Sequence, residues 1–231
     1  MQPIAHIETP YGEKFAVPRQ PGLAEAAEGQ IVFEPDFSGP DWIRGIEGFS
    51  HLWLIFGFHQ TAHRGWRPLV RPPRLGGDQK VGVFASRSTH RPNGLGLSVV
   101  RLISVEGEGQ AVRLRVGGVD LVTGTPIYDI KPYLPFADAV PDASGGYAEA
   151  APAILSVTWL PDARKAAEQV KQHNFVTLVE QVLGQDPRPA YRRGEISERI
   201  YGVQLWDRNV RFQFGADGGV RVVAVEPIER L

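Results

Sequence analysis

The chain has 231 residues, 25 basic and 26 acidic side chains, six histidines and no cysteine, for a formal net charge of −1. Without cysteine there is no disulfide scaffold, no thiolate metal site and no cysteine nucleophile, a composition suited to a reducing, cytoplasmic setting. The opening MQPIAHIETPYGEKF has no basic start followed by an apolar run, and the apolar stretch around Leu52–Phe58 is far below the ~20 residues of a membrane helix, so neither a signal peptide nor a span is expected.

In chain order, His51–Phe58 (HLWLIFGF) and Val81–Ser86 (VGVFAS) read as short strands rich in aromatic and β-branched residues. Ser98–Val105, Ala111–Val119 and Ile127–Ile130 continue the pattern. With 26 Gly and 19 Pro punctuating them, the first two thirds predict many short strands in a barrel or sandwich. A Pro-, Ala-, Ser- and Gly-rich passage at Pro141–Pro152 then changes the texture. Asp162 is placed to cap a helix running to about Leu183, with His173-Asn174 as a possible break and Gly184 just beyond the end. Strand-like runs follow at Ile200–Trp206, Val210–Phe214 and Val220–Val225. The expected fold is therefore α+β and mainly β: a β-rich domain over residues 1–145, a linker, and a small α+β domain over 154–231.

Several motifs fail on context. Gly94-Leu95-Gly96 looks like half of a dinucleotide fingerprint, but SVVRLISV after it is strand material, and the fingerprint needs a helix N-terminus for the pyrophosphate. His59 and His63 have zinc-helix spacing, yet Gln60 replaces the catalytic glutamate, the segment is strand-like and no third ligand is evident, so no metal is expected. No G-x-S-x-G elbow or phosphate-binding loop with Lys is present.

Charge is unevenly spread. Between Arg64 and Arg91 stand seven basic residues against the single acid Asp78, and Arg188, Arg192 and Arg193 form a second cluster. Arginine suits forked contacts to phosphate or carboxylate. The densest polar stretch is Phe84–Ser98, FASRSTHRPNGLGLS. It fits either a hairpin turning at Asn93-Gly94 or a ligand loop using Arg87, His90, Arg91 and Asn93. In TPIYDIKPY, Asp129 and Lys131 fit a buried ion pair and a ligand-facing pair equally well.

Those blocks, together with EKFAVPRQPG (Glu13–Gly22), GFSHLWLIFGFHQT (Gly48–Thr61), WRPLVRPPRLGG (Trp66–Gly77), DLVTGTPIYDIKPYLPFAD (Asp120–Asp138) and DPRPAYRRG (Asp186–Gly194), resemble the TsaA-like (TrmO) family of tRNA methyltransferases across nearly the whole chain. The resemblance implies S-adenosylmethionine (SAM) bound by an antiparallel β-barrel, not a Rossmann fold. It also implies a homodimer with the cofactor near its interface. Carried over by motif, the cofactor contacts are Arg19, Gln20, Pro21, His59, Gln60, Arg87, Leu97, Asp129, Ile130 and Lys131. The C-terminal domain is implied to help bind tRNA through a segment matching Asp186–Tyr191. The implied substrate is threonylcarbamoyladenosine at position 37, beside the anticodon of threonine tRNAs, methylated on N6.

That nitrogen is a poor nucleophile until its proton is loosened, so a base or cation is expected, with His59, Lys131 and Tyr133 as candidates. The threonyl carboxylate calls for arginine, Arg87 or Arg91. Phosphates would meet the Arg64–Arg74 segment with Arg188, Arg192 and Arg193, and Tyr191 could stack on a base. Two alternatives stand beside this: a small-molecule methyltransferase of the same fold, and a non-catalytic RNA-binding module.

Overall fold

The protein is described from a computed structural model that covers residues 1–188, 192 and 197–228. The first strands are β1 (Ala5–Glu8), β2 (Glu28–Phe33) and β3 (His51–Gly57), followed by β4 (Leu69–Val70) and β5 (Val81–Gly82). Then come β6 (Leu95–Glu106), β7 (Arg113–Gly117) and β8 (Thr125–Pro132). Strands β1, β2, β7, β6, β3 and β8 pair in that order, antiparallel throughout, and β8 returns to β1 to close the ring. Period-two alternation fills the inside with Ile7, Ile31, Leu54, Val100, Leu114 and Ile127, all essentially inaccessible to solvent. At Gly96 on β6, a Cβ would fall inside the Phe56 ring of β3; at Gly57 it would stand 2.9 Å from the Tyr128 hydroxyl. Those absent methyls are what let two aromatic rings lie flat on the ring wall.

Strands β3 and β6 are neighbours in space but are separated in the chain by residues 58–94. That insertion carries the β4–β5 hairpin and several short 3-10 turns. The strand expected over Val81–Ser86 stops at Gly82. Val83–Ala85 instead coils into a 3-10 turn, closed by Ser86 Oγ donating to the Val83 carbonyl at 2.9 Å. Its apolar character comes from Val83, which is buried and donates its N–H to the Pro68 carbonyl. The Asn93-Gly94 hairpin is corrected too. Gly94 lies at φ +59° and accepts from the Phe58 N–H at 2.8 Å, so the turn returns the insertion to the end of β3 rather than joining β5 to β6.

After the short helix α1 (Pro135–Asp138), the chain builds a second sheet from β9 (Val157–Trp159), β10 (Ser197–Leu205), β11 (Arg208–Phe214) and β12 (Val220–Pro227). The order is β10-β11-β12-β9, with β9 parallel to β12. Against it lie α2 (Pro161–Glu168) and α3 (Phe175–Gly184). The expected long helix is thus two. Leu160, not Asp162, holds the N-cap position with Pro161 at the first helical turn, and Asn174 at φ +56° breaks the run.

Two features join the halves. Tyr11 bridges Leu205, and Trp206 donates to the Pro10 carbonyl at 2.8 Å. Gln181 accepts from the Ala26 N–H at 2.8 Å, while Gln185 donates to the Leu23 carbonyl at 2.6 Å. The buried residues form one continuous core across both sheets. The chain is mainly β, in an α+β arrangement, and no helix among the described residues is long and apolar enough to cross a membrane.

Candidate functional site

The loop between β1 and β2 lies along the mouth of the ring and touches two other segments there. Arg87 Nη1 donates to Gln20 Oε1, and Lys14 Nζ donates to the Gln60 carbonyl at 3.0 Å. Arg19, Gln20 and Pro21 therefore share a rim with Arg87, His59 and Gln60. Burial pushes the His59 imidazole below its usual pKa; a hydrogen bond to the Gly57 backbone opposes this, and the Lys14 charge adds to it. The net shift favours the neutral imidazole. Lys14 is itself lowered, first by burial and then by the charge of Arg64.

Below the rim, the outer face of β6, β3 and β8 carries matched rows. Leu97 lies opposite Ile55, which lies opposite Asp129; one row further, Val99, Trp53 and Lys131 align. Lys131 Nζ stands 3.2 Å from Asp129 Oδ2, with both side chains largely open to solvent. The pair forms, but on the surface rather than in the core. Asp129 Oδ1 also accepts from the Ile130 N–H at 2.9 Å, while the Ile130 side chain packs toward the core. Leu97 is 56% exposed, an apolar side chain beside this charged pair.

The three candidate bases are not brought together within one chain. Tyr133 donates its N–H to the His51 carbonyl and packs its ring on His51 and Trp53. His59 follows the opposite end of β3. Six strand residues at ~3.3 Å each separate those ends by about 20 Å. Lys131 lies between them.

The arginines divide sharply. Arg64, Arg67, Arg71, Arg74, Lys80 and Arg87 are exposed, and no carboxylate among the described residues pairs with them. Arg91 differs: Nη1 donates to the carbonyls of Val83 and Ser86 at 3.1 and 2.7 Å, and the guanidinium lies over Phe84, so it shapes the loop. Arg188 turns inward. It is 5% exposed, forks onto Asp186 at 2.8 and 2.9 Å, and stacks 3.6 Å above the Phe214 ring. Within the described residues, that pairing engages the Asp186 carboxylate and encloses the guanidinium. Arg192 is partly exposed, whereas Tyr191 and Arg193 lie outside the described residues.

Three residues escaped the sequence reading. Lys14 looks like an ordinary surface lysine. Trp66 is 62% exposed and stands between Arg64 and Arg67 in the chain. Asp120 sits in a turn-like DLVTG, yet its carboxylate accepts from the buried Ser98 hydroxyl at 2.5 Å. Burial pushes that carboxyl up to about 6, opposed by the Ser98 and backbone hydrogen bonds and by the Arg87 charge. Among the described residues no cluster of three or more His, Asp or Glu side chains has the geometry of a metal site.

Comparison with known proteins agrees along the whole chain. Residues 6–139 match the family model of the tRNA-methyltransferase O N-terminal domain, and residues 152–228 match that of the TrmO C-terminal domain. The chain is 51% identical over 227 residues to the tRNA (adenine(37)-N6)-methyltransferase of Escherichia coli strain K12, covering 97% of this chain and 96% of that protein. It is 48% identical over 228 residues to a putative S-adenosylmethionine-dependent methyltransferase of Pseudomonas aeruginosa, covering 97% and 96%. The crystal structure of TrmO from Pseudomonas aeruginosa superposes with a TM-score of 0.81 at 42% identity, covering 97% of this chain and 96% of that one. Both halves, their order and their three-dimensional arrangement coincide, and the chain belongs to the tRNA-methyltransferase O family.

Proposed function

We propose that this chain transfers a methyl group from SAM to N6 of threonylcarbamoyladenosine at position 37 of threonine tRNAs, in the cytoplasm, with the closed ring as its SAM-binding barrel. The observation that carries the reading is 51% identity, over 97% of the chain, to a protein named for adenine-37 N6 methylation. The side chains present suit the cofactor. Arg87 or Lys131 can meet its carboxylate, Asp129 its hydroxyls or amine, and exposed Leu97 with Ile55 an adenine face. When bound, SAM supplies a sulfonium-activated methyl, which needs an aligned nucleophile about 3–3.5 Å away.

Of the candidate bases, His59 suits the proton at N6, because its lowered pKa leaves the imidazole neutral and able to accept at pH 7. Lys131, paired with Asp129, is a cation rather than a base and suits charge developing on the carbamoyl oxygen. Tyr133 lies two residues beyond Lys131, at the end of β3 away from His59, so it and His59 act on one substrate atom only if one of them comes from a partner subunit. That separation, with Leu97 and Phe84 exposed at 56% and 79%, supports a homodimer formed over this face. Arg91 is engaged by its own loop, whereas Arg87, bonded to Gln20, stands on the cofactor rim. Residues 1–145 form the methyl-transfer domain, and residues 154–231 with the Arg64–Arg74 segment grip the anticodon arm.

Transfer of labelled methyl from SAM to unfractionated tRNA, run beside metabolite pools, tests the reading. Label in tRNA supports it. Label only in small molecules favours a small-molecule methyltransferase, and an absence of calorimetric SAM binding favours a non-catalytic RNA-binding module.

A further inference from the structure

We propose that Trp66 is a base-stacking residue: its exposed indole, held out between Arg64 and Arg67, takes the flat face of an unpaired nucleobase next to the methylated adenosine in the anticodon loop. The inference deepens the tRNA reading above and rests on it.

Residues 62–69 are exposed without interruption, and Trp66 stands in the middle of them at 62%. An indole left in water forfeits a large apolar burial that a fold ordinarily uses. Among the described residues no ring contact and no cation–π contact covers it.

The backbone on either side is nevertheless fixed. Arg67 donates its N–H to the His90 carbonyl at 3.2 Å. The His90 ring places Nδ1 3.3 Å from the Gly65 carbonyl, where an Nδ1–H is the donor that can bridge them. The His90 N–H in turn donates to Ser88 Oγ at 3.2 Å. His90 thus grips residues 65 and 67 and leaves Trp66 between them facing out. Gly65 makes the bend before it at φ +66°, a conformation that favours glycine. A fixed backbone under an open indole is a preformed platform, because little ordering remains when a base arrives.

Charge and place name the occupant. Arg64 and Arg67 are exposed, and no carboxylate among the described residues pairs with either. An aromatic flanked by two free guanidinium groups suits a stacked base with a phosphodiester on each side. The loop that carries His90 also carries Arg87, which donates to Gln20 on the cofactor rim. Trp66 is therefore tied by a short loop to the rim, where a nucleotide neighbouring the methylated one would lie.

The test is binding of the full chain to two RNAs: a threonine-tRNA anticodon stem-loop carrying threonylcarbamoyladenosine, and a blunt duplex of the same stem with no unpaired base. Trp66→Ala is expected to weaken the stem-loop at least about five-fold and to leave both the duplex and the SAM Kd within about two-fold. Trp66→Phe keeps a ring and is expected to return stem-loop affinity to within about three-fold of the parent protein. The slope of log K against log salt should not change in Trp66→Ala, whereas Arg64→Ala or Arg67→Ala should lower it by roughly 0.7–0.9. The stem-loop should also quench more indole fluorescence in the parent protein than in Trp66→Phe. Equal quenching in the two overturns the proposal, even where the alanine variant is unstable. Stem-loop affinity within about two-fold of the parent in Trp66→Ala, or an equal loss on the duplex, overturns it as well. So does a change of oligomeric state on sedimentation, which would place the indole between copies of this chain. If the parent protein binds neither RNA, the tRNA reading fails and this inference with it; if it methylates the stem-loop and Trp66→Ala does so equally well, the inference alone fails.

Discussion

Asp120 accepts one hydroxyl hydrogen bond in a site where burial pushes its carboxyl from 3.8 up to about 6. A carboxyl with a raised pKa favours the folded state below its unfolded pKa, and that contribution is lost as pH rises from about 4 through 6. At pH 7.5 the charge costs about 3 kcal/mol at most. Asp120→Asn is therefore expected to stabilise the fold at pH 7.5 by about 1–3 kcal/mol and to change it little near pH 4, measured by urea unfolding at both values. Gly96 makes the opposite case. Gly96→Ala would drive a methyl into the Phe56 ring, and a loss of about 1–3 kcal/mol is expected in the same assay. Neither residue was legible by type: Asp120 carried no reading of its own, and Gly96 stood only in a glycine pattern that failed on context. Their importance comes from Ser98 and Phe56, which reach them across the ring. Asp129 and Lys131 were recognised as a pair, but whether that pair faced core or solvent depended on the bulge between Ile55 and Phe56 that sets their face.

At the scale of elements, strands with a continuous apolar face were readable, as β3 and β6 show. Strand β1 (AHIE) and strand β9 (VTW) are too short to carry a pattern, and β2 (EGQIVF) alternates only weakly. They exist because neighbours supply their hydrogen bonds. The insertion between β3 and β6 shows both outcomes. Its charge was plain in the sequence, while the end of the strand at Gly82 depended on the contact of Val83 with Pro68. Its exposed Arg64 and Arg67 flank an exposed Trp66 in the chain, with exposed Arg71 and Arg74 following. If these arginines meet tRNA phosphates, replacing all four by alanine should reduce the slope of log K against log salt by roughly 0.7–0.9 per lost contact, with SAM binding intact. Filter binding across a salt series checks this; an unchanged slope removes the insertion from the RNA interface. Arg188→Ala should instead lower stability, because it leaves Asp186 buried without its partner.

At the scale of the molecule, the change of texture at Pro141–Pro152 lies ahead of β9, the first strand of the second sheet, and one family model ends at 139 while the other begins at 152. Composition could not show how tightly the halves join. That joining rests on Tyr11, Gln181 and Gln185, residues distant in sequence from the groups they meet. A fragment ending near residue 145 would uncover Tyr11 and cut the shared core. Its thermal midpoint should fall below that of the whole chain, as followed by circular dichroism. The net charge of −1 likewise averages a basic face with an acidic remainder, and only the folded arrangement shows which arginines are open to an RNA. The most direct test of the central claim is mass spectrometry of nucleosides from threonine tRNA incubated with the protein and SAM. The account predicts one added methyl group on N6 of threonylcarbamoyladenosine; an unchanged nucleoside, or a methyl group on any other base, would contradict it.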